Sequence, residues 1–443
     1  MSLLTGLTLI TAGIILIIVL TSWLKLNAFL SLFLVSLLLA LFALPVTALV
    51  PTLKKGFGDT MASIGLIIIF GAIIGVTLDK AGATMSIAAF ILNRTKNKSA
   101  PAMALTGFIT GLPIFCDSGF IVLSGINNSL TVKSKSNKVF MATVLACSLY
   151  SVHCLIPPHP GATAAAGIIG AGIGNSVVIG ILVAIPTALA GFLWAKFISR
   201  NVSTGSSSEG KTHDQESQSF PLPSAGKSVL PILVPLLLIT SKSIMDVLSP
   251  GNHSFMMKAL IFAGDPVIAL FIGMLLSFLL LPAVNQKSIN HILTTSIDKA
   301  GPIIIITAAG GIFGAVIKAT GTGEQAGEFL AQTRLGLLIP FLLAFILKTA
   351  QGSSTVAIIT AASIIGPMLP NLGFSDGAGK LLVLLSLGAG SMMVSHANDS
   401  YFWVITNFSG IESSATLKVY STATIVMGLT AFGMVLLISL FNF

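Results

Sequence analysis

The chain has 443 residues, of which 54% are hydrophobic and only 8% are charged, and its formal net charge at pH 7 is +9. A soluble domain carries about 25% charged residues. So few charges cannot cover the surface of a soluble protein of this size, whereas a surface that faces lipid has to lack them. The composition therefore excludes a soluble enzyme or binding domain and predicts an all-α polytopic membrane protein in a lipid bilayer.

Long apolar runs extend from Leu7 to Trp23, from Leu26 to Val50 and from Ser421 to Phe443. Roughly 18 or more such residues are enough for a helix to span a bilayer. The first run is not a cleavable signal, because no basic segment precedes it and a second run follows at once. Other runs are short or interrupted, so we expect about 10–12 crossings, some of them broken or re-entrant.

The net charge and the cysteines exclude two further classes of protein. Basic residues lie in short segments between apolar runs, where the positive-inside rule expects them, so they do not indicate a nucleic-acid partner. Cys116, Cys147 and Cys154 all lie in apolar segments. Their odd number and their spacing argue against both a disulfide framework and a metal site.

The first polar stretch inside an apolar run extends from Gly111 to Gly119 and contains a helix-breaking glycine and proline. Asp117 lies at this break, next to Ser118. An ionisable group at membrane depth is unfavourable unless it faces protein or a wet cavity, so each one is a candidate functional residue. Asp117 is therefore a candidate proton carrier; alternatively, it caps the half-helix that follows.

The second polar stretch extends from Ser151 to Gly161, and its closely spaced prolines exclude a continuous helix. We expect His159 to be displayed in this turn, where a histidine can exchange a proton near neutral pH. The alternative is a loop histidine held by a hydrogen bond. His153 is more typical of a core residue.

A hydrophilic segment, residues 201–227, divides the chain near its midpoint and is rich in Ser, Gly, Glu, Gln and Lys. Its composition is typical of a flexible, solvated linker.

The third polar stretch, from Lys348 to Val356, has the composition of a half-helix that begins after Gly352. The free N–H groups and the positive dipole at such a helix start favour an anionic ligand, and Lys348 adds a cation. Small hydroxylated residues also permit close helix packing, which is the alternative. The candidate ligands here are Lys348, Gln351, Ser353, Ser354 and Thr355.

The fourth polar stretch, from Gly390 to Trp403, contains His396, Asn398 and Asp399. A substrate with several hydroxyl groups needs such mixed donors and acceptors, and Asp399 is a second candidate for the coupling proton. Chance clustering is the alternative. Asp79 and Lys318 lie near the ends of apolar runs and are more typical of snorkelling or structural residues.

Similar segments recur at a constant offset of 239 residues. Gly71 to Gly75 corresponds to Gly310 to Gly314, and the first and second polar stretches correspond to the third and fourth. The alternative is that any two glycine-rich membrane helices look alike. The offset predicts two repeats, residues 1–200 and 228–443.

The charges of the loops predict that the two repeats are inverted. First-half loops carry Lys54, Lys55, Arg94, Lys96, Lys98, Lys133, Lys135 and Lys138. The corresponding loops of the second half have only Lys299 and Arg334, together with Asp298, Glu324, Glu328 and Asp376. If basic loops face the cytoplasm, corresponding loops face opposite sides, and the linker is cytoplasmic. Inverted repeats place a substrate site near the bilayer midplane.

Several motifs of these stretches resemble the gluconate permease (gluconate:proton symporter) family of the ion transporter superfamily. They are Pro157 to Thr163, Gln351 to Ala357, Ser395 to Asp399 with Trp403, Phe115 to Asp117, and Ala308 to Gly314. The resemblance covers nearly the whole chain. It implies import of a small sugar acid or hydroxy acid with protons across a bacterial inner membrane, re-entrant hairpins, an elevator-like transport domain and a homodimer.

Two positions depart from the family pattern, which often has Arg at Lys348 and Pro at Ala162. A lysine is a point charge where an arginine would grip a carboxylate with two bonds. These departures weaken the inference to gluconate itself, and related members also carry D-serine and other small hydroxylated acids.

The sequence thus predicts a proton-coupled importer of gluconate or a related small carboxylate. Lys348 and the helix start at Ser353 to Thr355 would attract the carboxylate. His159, His396, Asn398 and Ser118 would bind hydroxyl groups, and Asp117 or Asp399 the proton. Sodium coupling is the alternative within transport. An enzyme is not expected, because no H-E-x-x-H, G-x-S-x-G or G-x-x-x-x-G-K-[ST] motif is present, and no cofactor is expected either.

Overall fold

A computed structural model describes residues 3–95, 98–202, 222–248, 255–282, 284–333 and 335–441. Lys96, Arg334 and most of the predicted linker lie outside these ranges. The described residues form helices and turns and contain no strand, in agreement with the predicted all-α class.

Within its described residues, the first half contains nine α-helices, which are α1 (Leu3–Ile18), α2 (Ala28–Ala43), α3 (Val46–Lys80), α4 (Ala83–Arg94), α5 (Ser99–Gly111), α6 (Cys116–Lys133), α7 (Lys138–Leu155), α8 (Pro160–Ile169) and α9 (Ile173–Ile198).

The described part of the second half contains α10 (Ala225–Leu248), α11 (Phe255–Ala263), α12 (Pro266–Phe278), α13 (Gln286–Ala319), α14 (Thr322–Gln332), α15 (Leu338–Gln351), α16 (Ser354–Ile365), α17 (Gly377–Met392), α18 (Ser400–Ser409), α19 (Ser413–Thr416) and α20 (Thr422–Ser439).

Six helical segments of the described chain are long and apolar enough to cross a membrane, and a seventh is added if α11 and α12, bent by 74°, form one span. This is fewer than the predicted crossings, because several apolar segments are short helices that end at a break, as α15 does at Gly352. The six segments are Val46–Lys80, Lys138–Ile169, Ile173–Ile198, Ala225–Lys242, Gln286–Ala319 and Ser413–Ser439.

Helix boundaries recur between the two halves. The starts of α3, α4, α5, α7 and α8 are followed 239 or 240 residues later by the starts of α13, α14, α15, α17 and α18. Both α4 and α14 begin after a glycine in the left-handed conformation, Gly82 with φ of 69° and Gly321 with φ of 67°. Only glycine adopts this conformation readily.

Corresponding helices also run antiparallel to each other. Tyr150 of α7 donates a hydrogen bond to the Ser391 carbonyl of α17, at 3.2 Å. Further along α7, the Cys154 carbonyl packs on Gly388, which lies earlier in α17. This geometry supports an inverted relation between the repeats, whose limits at 1–200 and 228–443 stay a prediction.

The two longest helices, α3 and α13, pack together in the same antiparallel way. Thr60, in the first half of α3, packs on Gly311 in the second half of α13. At the other end, Lys80 Nζ donates to Thr295 Oγ1 at 3.4 Å. Asp79 and Lys318 lie in the last turns of α3 and α13, close to the span ends where the sequence placed them.

Two features of the predicted charge pattern are wrong. Lys54 and Lys55 lie inside α3 rather than in a loop. The adjoining part of α3 and the end of α8 line the same cavity. The span that ends with α8 begins at Lys138, on the other side. The pair therefore faces the side opposite Lys138, and Lys55 is bound at 2.9 Å by Asp59 one turn on. Lys299 lies inside α13 rather than in a loop.

Candidate functional site

A cavity of about 270 Å³ lies where the first turns of four helices meet, namely α6, α8, α16 and α18. Each of these helices begins within one of the four polar stretches of the sequence. The cavity brings together six of the predicted site residues: Asp117, Ser118, Ser353, Ser354, Thr355 and Asp399.

Local chemistry explains why all four helices start here. The residues before α6 include Gly111 and Pro113, and Pro160 occupies the first turn of α8. Ser353 caps α16 by accepting a hydrogen bond from Val356 N at 3.3 Å. Asp399 caps α18 in the same way through Tyr401 N, at 3.0 Å. Because the first N–H groups of a helix lack partners within it, four such helix starts create a strongly anion-favouring environment.

Lys299, which the sequence placed in a loop, is a cation of the central cavity. It lies in the first half of α13 and lines the cavity, where its Nζ donates to Ser118 Oγ at 3.1 Å. No described carboxylate lies within ion-pair distance of it. Its position near the middle of a 34-residue, largely apolar helix is the feature that could have identified it as a site residue.

Lys348 occupies a different environment from the one predicted. Its side chain is fully buried and does not line the cavity. Its Nζ donates to Asp399 Oδ2 at 2.6 Å and to the Gly352 carbonyl, while Ser395 Oγ donates to the same Asp399 oxygen. The charge of Lys348 is therefore compensated within the protein, whereas the sequence predicted a cation free to attract the substrate.

Asp117 lies in the first turn of α6 and lines the cavity. It is not the cap of this helix, because Phe115 holds the N-cap position. Its Oδ1 atom is buried and has no partner in another described residue. A buried acceptor without a partner is unfavourable, so this oxygen is available to a proton or a ligand.

Both histidines are buried, as the sequence predicted for His153 but not for His159. His159 is only 3% exposed, and its Nε2 donates to the Gly111 carbonyl at 2.7 Å. The prediction that it is displayed is wrong, and the hydrogen-bonded alternative is what the structure contains. His153 instead lines the cavity, with Nε2 at 3.4 Å from Thr355 Oγ1 and with no described partner for Nδ1.

His396 and Asn398 do not line the cavity. Asn398 Nδ2 donates to the Thr349 carbonyl at 2.8 Å, and His396 Nε2 reaches the same oxygen at 3.4 Å. Both side chains therefore hold the end of α15 against the turn before α18. Gln351 also lies outside the cavity lining, and both polar atoms of its amide are buried without a described partner.

The described residues contain no group of three or more His, Cys, Asp or Glu side chains that could hold a metal ion. The three cysteines are free and buried.

Comparison with known proteins gives a consistent family. The family model described as GntP family permease matches residues 5–441. The chain is 31% identical to the inner membrane permease YgbN of Escherichia coli K12 (98% of each chain). It is also 31% identical to a gluconate permease of Pseudomonas aeruginosa (96% of this chain, 95% of the relative). The D-serine transporter DsdX of Escherichia coli O6:H1 is 29% identical over 88% of each chain.

The fold is similar to that of a solved transporter, YdaH of Alcanivorax borkumensis. The TM-score is 0.62 over 96% of this chain and 99% of that chain, with 14% sequence identity. The spans, the fold and the matches over nearly the whole chain lead to one conclusion: this chain is a multi-pass inner-membrane protein that belongs to the GntP family of permeases.

Proposed function

We propose that the protein imports a small sugar acid or hydroxy acid, such as gluconate, together with protons. The observation that carries the proposal is the cavity in which four helix N-termini and Lys299 surround a space next to Asp117. Relatives named gluconate permease support this class of substrate. The volume of about 270 Å³ is near the lower end of small-molecule pockets, about 300–1,000 Å³, and suits a small acid.

The charges around the cavity explain why a proton and an anion would bind together. The Lys348–Asp399 pair is neutral overall, which leaves Lys299 and Asp117 as the charged groups that face the substrate. An ionised Asp117 repels a second carboxylate. Once Asp117 is protonated, Lys299 and the helix starts form a positive site that a monoanion neutralises. We therefore assign the coupling proton to Asp117 rather than to Asp399.

The remaining side chains give each part of the substrate a partner. Lys299 and the N–H groups that open α16 would hold the carboxylate, in place of the contact between Lys299 and Ser118. Ser118, Ser354, Thr355 and His153 line the same space and supply donors and acceptors for hydroxyl groups.

The inverted repeats, residues 1–200 and 228–443, belong to the same proposal. The antiparallel course of α7 and α17 supports them, since such repeats allow a central site to face the two sides in turn.

D-serine is a second candidate substrate, favoured by the 29% identity to a D-serine transporter. Its ammonium group gives it a positive charge that gluconate lacks. An ionised Asp117 would attract this ammonium group, so proton binding at Asp117 would weaken D-serine binding. The two substrates therefore predict opposite effects of pH on affinity.

The test is uptake by purified protein in liposomes with an imposed inward pH gradient. Labelled gluconate, D-serine and smaller hydroxy acids are offered under the same pH gradient with and without sodium, and again with sodium but no pH gradient. We expect gluconate or a close relative to accumulate without sodium. Failure of all these acids to accumulate contradicts the proposal, and accumulation that requires sodium contradicts its coupling ion.

A further inference from the structure

A second, larger cavity of about 570 Å³ lies at the other end of α8 and α16. The first turns of these two helices line the central cavity, whereas residues 167–169 of α8, Ser363 of α16 and Gly366 just after α16 line this one. Its other walls come from the start of α3, the end of α13, the segment around Ser375 and the start of α17. The same pair of helices thus connects the two cavities.

Helix α13 also extends from one cavity to the other and contributes a lysine to each. Lys299 and Lys318 are 19 residues apart, which corresponds to about 28 Å along a helix axis. The second cavity adjoins the end of α8, so it lies on the face opposite Lys138, where the span that includes α8 begins. The start of the linker lies on the Lys138 face, because Asn137 Nδ2 donates to the Ser199 and Val202 carbonyls.

The second cavity carries an uncompensated positive charge. Lys318 and Lys380 both line it, and neither forms an ion pair with a carboxylate in the described ranges. The acidic residue of the lining, Asp59, is bound to Lys55 at 2.9 Å. Lys380 lies beside Gly170, where it also faces the C-terminal end of α8. The negative end of the α8 dipole therefore stabilises the Lys380 ammonium group, which still faces the cavity.

Helix α13 packs closely on α3 and α16 at the wall of the second cavity. A Cβ atom at Gly311 would lie 1.9 Å from Thr60 Oγ1, and one at Gly310 would lie 2.7 Å from Ser363 Oγ. These contacts leave no space for a small anion between α13 and its two neighbours, so passage along this part of α13 requires the helices to move relative to one another.

We propose that the second cavity is a binding vestibule for small organic carboxylates on the face opposite the linker, with Lys318 and Lys380 as its cationic ligands. The inference rests on the proposed function, because it takes the anion in the vestibule to be the transported acid. Charged clefts of this kind raise the local concentration of an oppositely charged ligand. Substrate would collect next to Lys318 before it reaches Lys299.

A labelling experiment on purified protein tests this without any transport. Ser375 is exposed and lines the cavity, whereas the native cysteines are buried, so Ser375→Cys gives a reporter thiol. Its reaction rates with an anionic and a neutral thiosulfonate of similar size are compared. We expect the anionic reagent to be favoured by about tenfold at low salt, and we expect gluconate to slow both reagents. Protein without Ser375→Cys gives the background from Cys116.

The double variant Lys318→Gln/Lys380→Gln should remove both the anionic preference and the protection by gluconate. The matched control is Lys287→Gln, an exposed lysine on the same helix but outside the cavity. Arginines at both positions should restore the preference. An unchanged preference in the double variant overturns the proposal, and so does the absence of protection by any small carboxylate. Protection by phosphatidylglycerol alone would assign the site to a lipid phosphate instead.

Transport assays with the double variant then distinguish a failure of this inference from a failure of the proposed function. In vesicles of known orientation, substrate is supplied on one face at a time. On the face opposite the linker, the double variant should raise the half-saturation concentration by about tenfold. On the linker face, the half-saturation concentration should equal that of wild type. Equal values for wild type and variant at both faces contradict the vestibule. A wild-type protein that carries no acid contradicts the proposed function, whereas the labelling result still decides whether the vestibule binds carboxylates.

Discussion

Lys348 and Asp399 form a buried ion pair in which Lys348 Nζ lies 2.6 Å from Asp399 Oδ2. The pair connects the last turn of α15 to the start of α18, and a bond from Lys348 to the Gly352 carbonyl adds the turn before α16. Two of the four helix starts at the central cavity are thus positioned by one buried lysine.

The first prediction concerns the stability that this pair provides. Lys348→Met leaves Asp399 buried without its cation, which typically destabilises a protein by about 3–5 kcal/mol. Adding Asp399→Asn removes the unpaired charge but keeps an oxygen to cap α18, so the double variant should be more stable than Lys348→Met alone. Thermal unfolding of purified protein in detergent measures both. Equal unfolding temperatures for Lys348→Met and wild type would show that the pair contributes little.

Lys299→Gln should weaken substrate binding strongly. Loss of a charge-assisted hydrogen bond, worth roughly 1.5–3 kcal/mol, corresponds to about a 10- to 150-fold rise in the half-saturation concentration. Lys299→Arg should recover part of the affinity, because it keeps the charge. Initial uptake rates in liposomes measure this, with Lys287→Gln of the same helix as control. An unchanged half-saturation concentration in Lys299→Gln would remove Lys299 from the substrate site.

Asp117→Asn should abolish accumulation against a gradient but retain exchange of labelled for unlabelled substrate. An asparagine resembles the protonated carboxyl, so the site can still bind the anion but cannot release a proton. For the same reason, raising the pH should weaken gluconate binding to wild type and leave the variant unaffected. Counterflow assays across a pH series measure both effects. Proton-driven accumulation by Asp117→Asn would assign the proton to another group.

The sequence was sufficient to locate the breaks at the central cavity, because glycine and proline act on the backbone locally. The stretches at Gly111, Pro157 and Gly352 are all breaks in the structure. The partners of the polar side chains could not be predicted, because they are distant in the chain. Lys348 is bound by Asp399, and His159 by a carbonyl 48 residues away.

Lys299 was predicted to lie in a loop, and this was wrong because its partner is also distant in the chain. It follows Asp298, and two adjacent charges are typical of a loop. The helix nevertheless continues through both, since Asp298 is exposed while Lys299 is partly buried and reaches Ser118 of α6. Only the packing of α13 against the first half of the chain distinguishes these two environments.

The last prediction concerns Gly352, which lies between α15 and α16 with φ of 82°. A Cβ atom here would lie 2.1 Å from the Asn398 carbonyl oxygen, and the left-handed conformation alone costs an L-residue roughly 1–2 kcal/mol. Gly352→Ala must therefore separate the turn before α16 from the turn before α18. We expect a lower unfolding temperature and a large loss of uptake.

Gly377→Ala provides the matched control, because Gly377 is exposed in the first turn of α17 and a Cβ atom there meets nothing within 4 Å. It should retain wild-type stability and uptake. Substrate binding by folded Gly352→Ala protein, measured by protection from thermal unfolding, separates damage to the cavity from damage to the fold. If Gly352→Ala binds and transports like wild type, the close contact between the two turns does not hold the helix starts together, and the anion site needs another source of rigidity.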